Sequence, residues 1–160
     1  MSTAKKLERK LLIRYIVSDL IAGTGAYTAL HLVRKLYVEP GRFGTSVPLK
    51  FDQTFVLAAA ATTTLFIGIS ALSGIYRNLT RKSRLAEAFH TFGGTIITAV
   101  LLFFLVFLDD YIKEYSDYYM TLGTYTGSLV VLSGVFRFTQ SSVVRRKIDK
   151  GLLKFPTVLV

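Results

Sequence analysis

The chain contains no cysteine and only two histidines, His31 and His90. That removes disulfides, thiolate nucleophiles and histidine-rich metal sites from its chemistry. Acids are scarce too: ten Asp and Glu stand against twenty Lys and Arg, a net charge of +10. Proline occurs only at Pro40, Pro48 and Pro156, outside every long apolar stretch. A helix that crosses lipid needs this, because no water is present there to satisfy a backbone group freed by a breaker.

What is present is hydrophobicity in blocks. Hydrophobic residues make up 51% of the 160, and the mean hydropathy is +0.45, above what an ordinary soluble domain carries. Four stretches stand out, at 11–33, 54–76, 89–108 and 118–136. Each is close to the ~20 residues a helix needs to cross about 30 Å of hydrocarbon. The first follows Lys5, Lys6, Arg9 and Lys10 as a signal peptide would. It is too long for a signal core, carries Asp19 inside it and lacks a small-x-small cleavage pattern before Arg34. The fold class expected is therefore an all-α integral membrane protein, a four-transmembrane-helix bundle over residues 11–138.

The positions of the charges decide between a nucleic-acid partner and a membrane. Fifteen of the twenty basic residues lie before the first stretch or at its start, between the second and third, or after the fourth. The first and third connections hold only Arg34, Lys35, Arg42, Lys50 and Lys113, against Glu39, Asp52, Asp109, Asp110, Glu114 and Asp117. The positive-inside rule places both termini, with the basic N-terminus 1–10, and the loop from Arg77 to Arg84 in the cytoplasm. Basic residues that bracket apolar spans do not form the face that nucleic acid binds, so no nucleic-acid partner is expected.

Small residues offer close helix packing: Ser70 with Gly74 in the second span and Gly123 with Gly127, a GxxxG, in the fourth. They would serve either the bundle itself or a homodimer, and the sequence does not separate the two. Asp19 is the one acid well inside a span, where an unpaired carboxylate costs several kcal/mol. The reading favoured here is a structural pair with Arg77 or Arg137, rather than one step of a proton path that would need further buried polar groups. His31 and His90 read as solvated interface residues, and Asp109, Asp110, Glu114 and Asp117 as a solvated acidic face. No catalytic residue, cofactor-binding motif or metal set is visible.

At the cytoplasmic edges, Ser83 suits an N-cap for the third helix. Beyond the fourth span, Val144, Ile148, Leu152 and Phe155 recur at helical spacing among Arg145, Arg146, Lys147, Lys150 and Lys154. This predicts an interfacial amphipathic helix over 139–155. Arg81, Lys82, Arg84, Arg145, Arg146 and Lys147 are then candidates for lipid headgroup contact, each worth about 1 kcal/mol near an anionic leaflet. Residues 156–160 read as the first strand of a further cytoplasmic α/β domain, with the chain cut at its start.

Several of these residues resemble one family. They are Tyr15 with Asp19, Gly74-Ile75-Tyr76-Arg77, Arg81-Lys82-Ser83-Arg84-Leu85 followed by Glu87 and Thr91, Phe103-Phe104, Leu108-Asp109-Asp110, Tyr115, Tyr118-Tyr119, Arg137, and Thr157 to Val160. The pattern resembles the membrane-embedded N-terminal part of the large bacterial polyprenyl-phosphate sugar phosphotransferases, monotopic phosphoglycosyl transferases of exopolysaccharide and O-antigen synthesis. The resemblance implies a bundle followed by a Rossmann-like domain and a catalytic domain with a re-entrant helix and an Asp-Glu pair. That enzyme uses magnesium and moves a sugar phosphate from a nucleotide sugar to undecaprenyl phosphate. None of its catalytic residues maps onto this sequence. The bundle would anchor and orient the enzyme in the bacterial inner membrane, with the bilayer, its anionic lipids and undecaprenyl phosphate as partners. Two alternatives are the membrane domain of a nucleotide-sugar dehydratase or epimerase and a stand-alone flippase for polyprenyl-linked sugars.

Overall fold

The computed structural model describes residues 3–40, 48–76, 84–104 and 115–149. Every regular element among them is helical. Helix α1 covers Thr3–Val33 and runs on through a wider π-helical turn, Arg34–Val38; α2 covers Gln53–Leu72, α3 Arg84–Leu102 and α4 Tyr115–Asp149.

Cross-contacts fix the arrangement. Gln140 on α4 reaches the Arg14 carbonyl on α1, and a side chain at Gly25 would meet Leu132, so α1 and α4 are antiparallel neighbours. Tyr27 and His31 pack on Phe55, and Gly23 sits on Thr63, so α2 returns along α1. Gly94 on α3 faces Ile75 just beyond α2, and Phe103 meets Tyr118 at the start of α4. The result is an up-down-up-down bundle in which each helix touches two neighbours. One end gathers the start of α1, the end of α2, the start of α3 and the end of α4. It is called the basic end here because the N-terminal lysines and arginines and Arg145 to Lys147 lie on its helices.

The start and stop of α2 have local causes. The Asp52 carboxylate accepts the Phe55 backbone N–H at 2.9 Å, an N-cap. At the other end Gly74 takes φ 70°, the Ile75 N–H bonds back to the Ser70 carbonyl and the Gly74 N–H to the Ala71 carbonyl. This is the Schellman pattern, in which a left-handed glycine turns the chain off the helix. The second helix therefore ends at Leu72, short of 76, and Gly74 is its turn residue.

Residues 139–149 continue α4 without a break instead of forming a separate linker helix. Nothing between Phe136 and Ser142 interrupts a helix. The Thr139 and Ser142 hydroxyls each donate to the carbonyl four residues back, at 2.8 Å, so neither competes with the helix for partners. The rest of the expected linker, 150–155, and the expected strand at 156–160 lie outside the described residues, as do 105–108 of the third span.

Burial runs opposite to a water-soluble bundle. Inside, among the described residues, eleven polar or charged residues are buried beside fourteen apolar ones, several of them only alanine. Outside, every helix presents large apolar side chains: Val17, Leu20 and Ile21 on α1, Val56, Leu57 and Leu72 on α2, Phe89, Ile97 and Val100 on α3, Val131, Val135 and Phe138 on α4. Leu72 is 90% exposed. The buried hydroxyls of Ser18, Thr62, Thr95, Thr98 and Ser133 donate to carbonyls of their own helices at 2.6–3.1 Å, so they are satisfied without water. The apolar core is one cluster of Ala26, Leu30, Phe66, Leu102, Tyr125 and Leu129, in the half away from the basic end.

Among the described residues two helical stretches, Glu8–Val38 and Gln53–Leu72, are long and apolar enough to cross a membrane; the apolar part of α3 is shorter, Ala88–Leu102. Helix α4 carries polar residues on its inward face, Thr121, Ser133 and Arg137, all buried, and further ones away from it and toward its ends.

Candidate functional site

The polar residues converge toward the basic end, on Asp19. Its carboxylate is fully buried at 0% exposure, and Arg137 beside it is 3% exposed. The Arg137 Nη2 donates to Asp19 Oδ2 at 2.6 Å, and the Tyr76 hydroxyl donates to the same oxygen at 2.7 Å. One oxygen thus ties together α1, the segment after α2, and α4. Each contributes for its own reason. Asp19 lies on the inward stripe of α1 with Leu11, Tyr15, Ala22, Ala26 and Leu30, all buried. Tyr76 is delivered by the Gly74 turn. Arg137 continues the inward stripe of α4 through Thr121, Tyr125, Leu129 and Ser133, at steps of four.

A second clasp flanks the pair. Gln140, one turn beyond Arg137, donates from Nε2 to Ser18 Oγ at 2.8 Å and to the Arg14 carbonyl at 3.2 Å, and Ser18 donates to the Tyr15 carbonyl. The network is not closed. Among the described residues, Asp19 Oδ1, Arg137 Nε and Nη1, and Gln140 Oε1 have no hydrogen-bond partner.

Of the two arginines proposed for Asp19, Arg137 is the one that reaches it; Arg77 lies outside the described residues, with Arg81 and Lys82. Arg84 opens α3, and Arg145, Arg146 and Lys147 lie near the end of α4; their side chains are outside the description. Ser70 is fully buried. Gly123 and Gly127 are exposed, and a side chain at either would meet nothing within 4 Å, so the GxxxG does not pack the bundle. The close approach is made instead by Gly23, where an added Cβ would lie 2.9 Å from Thr63. Spacing alone does not give the rotational phase of a helix, and the phase turns Gly123 outward.

His31 is half-buried. Its ring stacks edge-on against Phe55 at 4.9 Å, lies 5.8 Å from Phe51, and its Nε2 bonds with the Lys50 carbonyl at 3.2 Å. His90 is exposed. Asp117 stands in the first turn of α4, where an acid suits the helix dipole; Asp109, Asp110 and Glu114 lie outside the described residues.

Among the described residues no three acids or histidines gather as a metal site. The cluster at Asp19 is a carboxylate paired with a guanidinium and held by a phenol, and it locks three segments together. No family model, curated protein or solved structure matches the chain.

Tyr76 and Gln140 are the site residues that sequence reasoning missed. The signal for Tyr76 was the glycine two residues before it, at a helix end where a left-handed turn sends the chain back toward the bundle. Tyr76→Phe removes only the hydroxyl and leaves Asp19 with one bond. The variant is expected to lose about 1–3 kcal/mol, the range for a hydrogen bond to a charged group. Thermal melting followed by circular dichroism in detergent reads this, and an unchanged midpoint would show the bond to be idle.

Proposed function

We propose that this chain is a membrane anchor that crosses the bacterial inner membrane four times, with both ends in the cytoplasm. We further propose that it is the bundle of a polyprenyl-phosphate sugar phosphotransferase. The observation that carries the anchor is the inverted burial: large apolar side chains face outward on all four helices, while the interior holds Asp19, Arg137 and a set of threonines and serines. In water such a surface exceeds the few hundred Å² of apolar patch that a monomer tolerates, whereas in lipid it is the ordinary outer face. Helix lengths agree. At about 1.5 Å per residue the 20 residues of α2 span about 30 Å, while the 31 of α1 and 35 of α4 extend past the hydrocarbon. The basic residues on these extensions then meet cytoplasmic headgroups.

The enzymatic part of the proposal rests on the family resemblance. The bundle holds and orients; transfer of a sugar phosphate to undecaprenyl phosphate belongs to a catalytic domain outside these residues. Alkaline carbonate extraction and reporter fusions at each end test the anchor. The chain is expected to stay in the membrane, with a fluorescent reporter active and a periplasmic phosphatase inactive at both Met1 and Val160. Release by carbonate, or phosphatase activity at one end only, would overturn four crossings. The 160 residues alone are expected to turn over no nucleotide sugar with undecaprenyl phosphate, and any turnover would refute the anchoring role. The parent gene is expected to encode a re-entrant helix and an Asp-Glu pair downstream; a dinucleotide-binding glycine fingerprint without them would favour the dehydratase.

A further inference from the structure

Between the start of α3 and the second half of α4 runs a groove of about 430 Å³, within the range of pockets that hold a small ligand. Its walls are mostly apolar, with Ala88, Phe89 and Phe92 on one side and Gly134 and Phe138 on the other; Thr91 and Ser141 add hydroxyls, and Arg137 is the one charged residue lining it among the described residues. Phe89 and Phe138 are 69% and 65% exposed, so the groove opens sideways, toward lipid in a membrane-spanning chain. Two features mark it as built for an occupant. Arg137 is 97% buried, yet its Nε and Nη1 have no partner among the described residues, while Asp19 occupies only Nη2. A guanidinium fork offering unused donors in an apolar setting suits a phosphate oxygen. The groove also lies at the basic end, with Arg84 one turn before Ala88 and Arg145 two turns beyond Phe138.

We infer that the groove between α3 and α4 binds one anionic glycerophospholipid of the cytoplasmic leaflet, an acyl chain lying along Phe89, Phe92 and Phe138 and the phosphate meeting the free edge of Arg137. This rests on the membrane-spanning reading above. Arg137 then stands between two anions, the Asp19 carboxylate and the lipid phosphate, and the lipid fastens α3 onto α4. A zwitterionic lipid supplies the same acyl chain without net negative charge, so the preference for the anionic one reads the arginine.

The test uses the full chain, purified in detergent with equal amounts of phosphatidylglycerol and phosphatidylcholine, and native mass spectrometry to count retained lipid. One phosphatidylglycerol is expected to be retained in preference to phosphatidylcholine. Gly134→Leu adds bulk to the groove wall from a position where a Cβ meets nothing within 4 Å, and is expected to reduce retention by about tenfold. Gly123→Leu, equally open but elsewhere on α4, is expected to change nothing. Should Gly134→Leu fail to fold, Ala88→Phe fills the groove from the other wall. Retention by the folded groove variant at the wild-type level, or no preference for phosphatidylglycerol in the wild type, overturns the inference. Carbonate extraction of the same preparations separates the two failures: a chain that resists extraction but shows either result has lost the groove proposal and kept the anchor.

Discussion

Arg137→Ala is expected to abolish most of the folded yield. The substitution leaves the Asp19 carboxylate at zero exposure with only the Tyr76 hydroxyl for company. Breaking a buried pair by removing one partner costs about 3–5 kcal/mol, because an uncompensated charge stays in a low-dielectric interior. Domain stability is only about 5–15 kcal/mol, so such a loss consumes much of it. Asp19→Asn fails from the other side, stranding a buried guanidinium. The double variant Asp19→Asn/Arg137→Gln removes both charges together and is expected to recover most of the yield. Replacing the whole pair is near neutral where replacing half is not. Monodisperse protein after size-exclusion chromatography measures each variant. Equal yields from Arg137→Ala and wild type would show that the pair does not hold the fold. A normal yield of Asp19→Asn with loss of function in the proposed parent enzyme would move Asp19 from a structural to a functional role.

The pair also shows which parts of the molecule are legible in one dimension. A carboxylate well inside an apolar run has few physical options, so Asp19 announced the need for a cation. Arg77 and Arg137, each just past the end of a stretch at the same side, narrowed the choice to two. The all-helical character was equally open, since long proline-free apolar stretches leave no other way to satisfy the backbone. What the sequence withheld depended on rotation about helix axes and on turns. The GxxxG at Gly123 reads like a packing motif at any phase, and only the inward stripe through Thr121, Tyr125, Leu129, Ser133 and Arg137 reveals that it points out. Gly74 likewise reads as one more small residue until φ 70° marks it as the turn that brings Tyr76 home. The ring contacts of His31 were hidden because Phe51 and Phe55 follow it by twenty residues or more across a connection.

Rotation about α1 supports the second large effect. Gly23→Leu is expected to separate α1 from α2, while Gly123→Leu and Gly127→Leu leave the bundle unchanged. At Gly23 even a Cβ would sit 2.9 Å from both Cγ2 and Oγ1 of Thr63, closer than side-chain atoms approach, and Thr63 is itself buried. Its side chain branches at Cβ and has few rotamers in a helix, so it cannot swing clear. The remaining relief is for the helices to move apart, which loosens Ala22 and Ala26 from the interior as well. Overpacking of a tight core costs about 1–3 kcal/mol for a few added methylenes. A leucine in a helix crossing that relies on backbone approach belongs at the upper end. Thr63→Ala removes the two nearest atoms and should restore much of the stability to Gly23→Ala, though not to Gly23→Leu, whose branch reaches farther than the space vacated. Thermal midpoints of the four glycine variants, compared with Gly23→Ala/Thr63→Ala, decide it. If Gly123→Leu or Gly127→Leu unfolds the protein as readily as Gly23→Leu, the outward phase of α4 is wrong, and with it the argument that an apolar exterior is met by lipid.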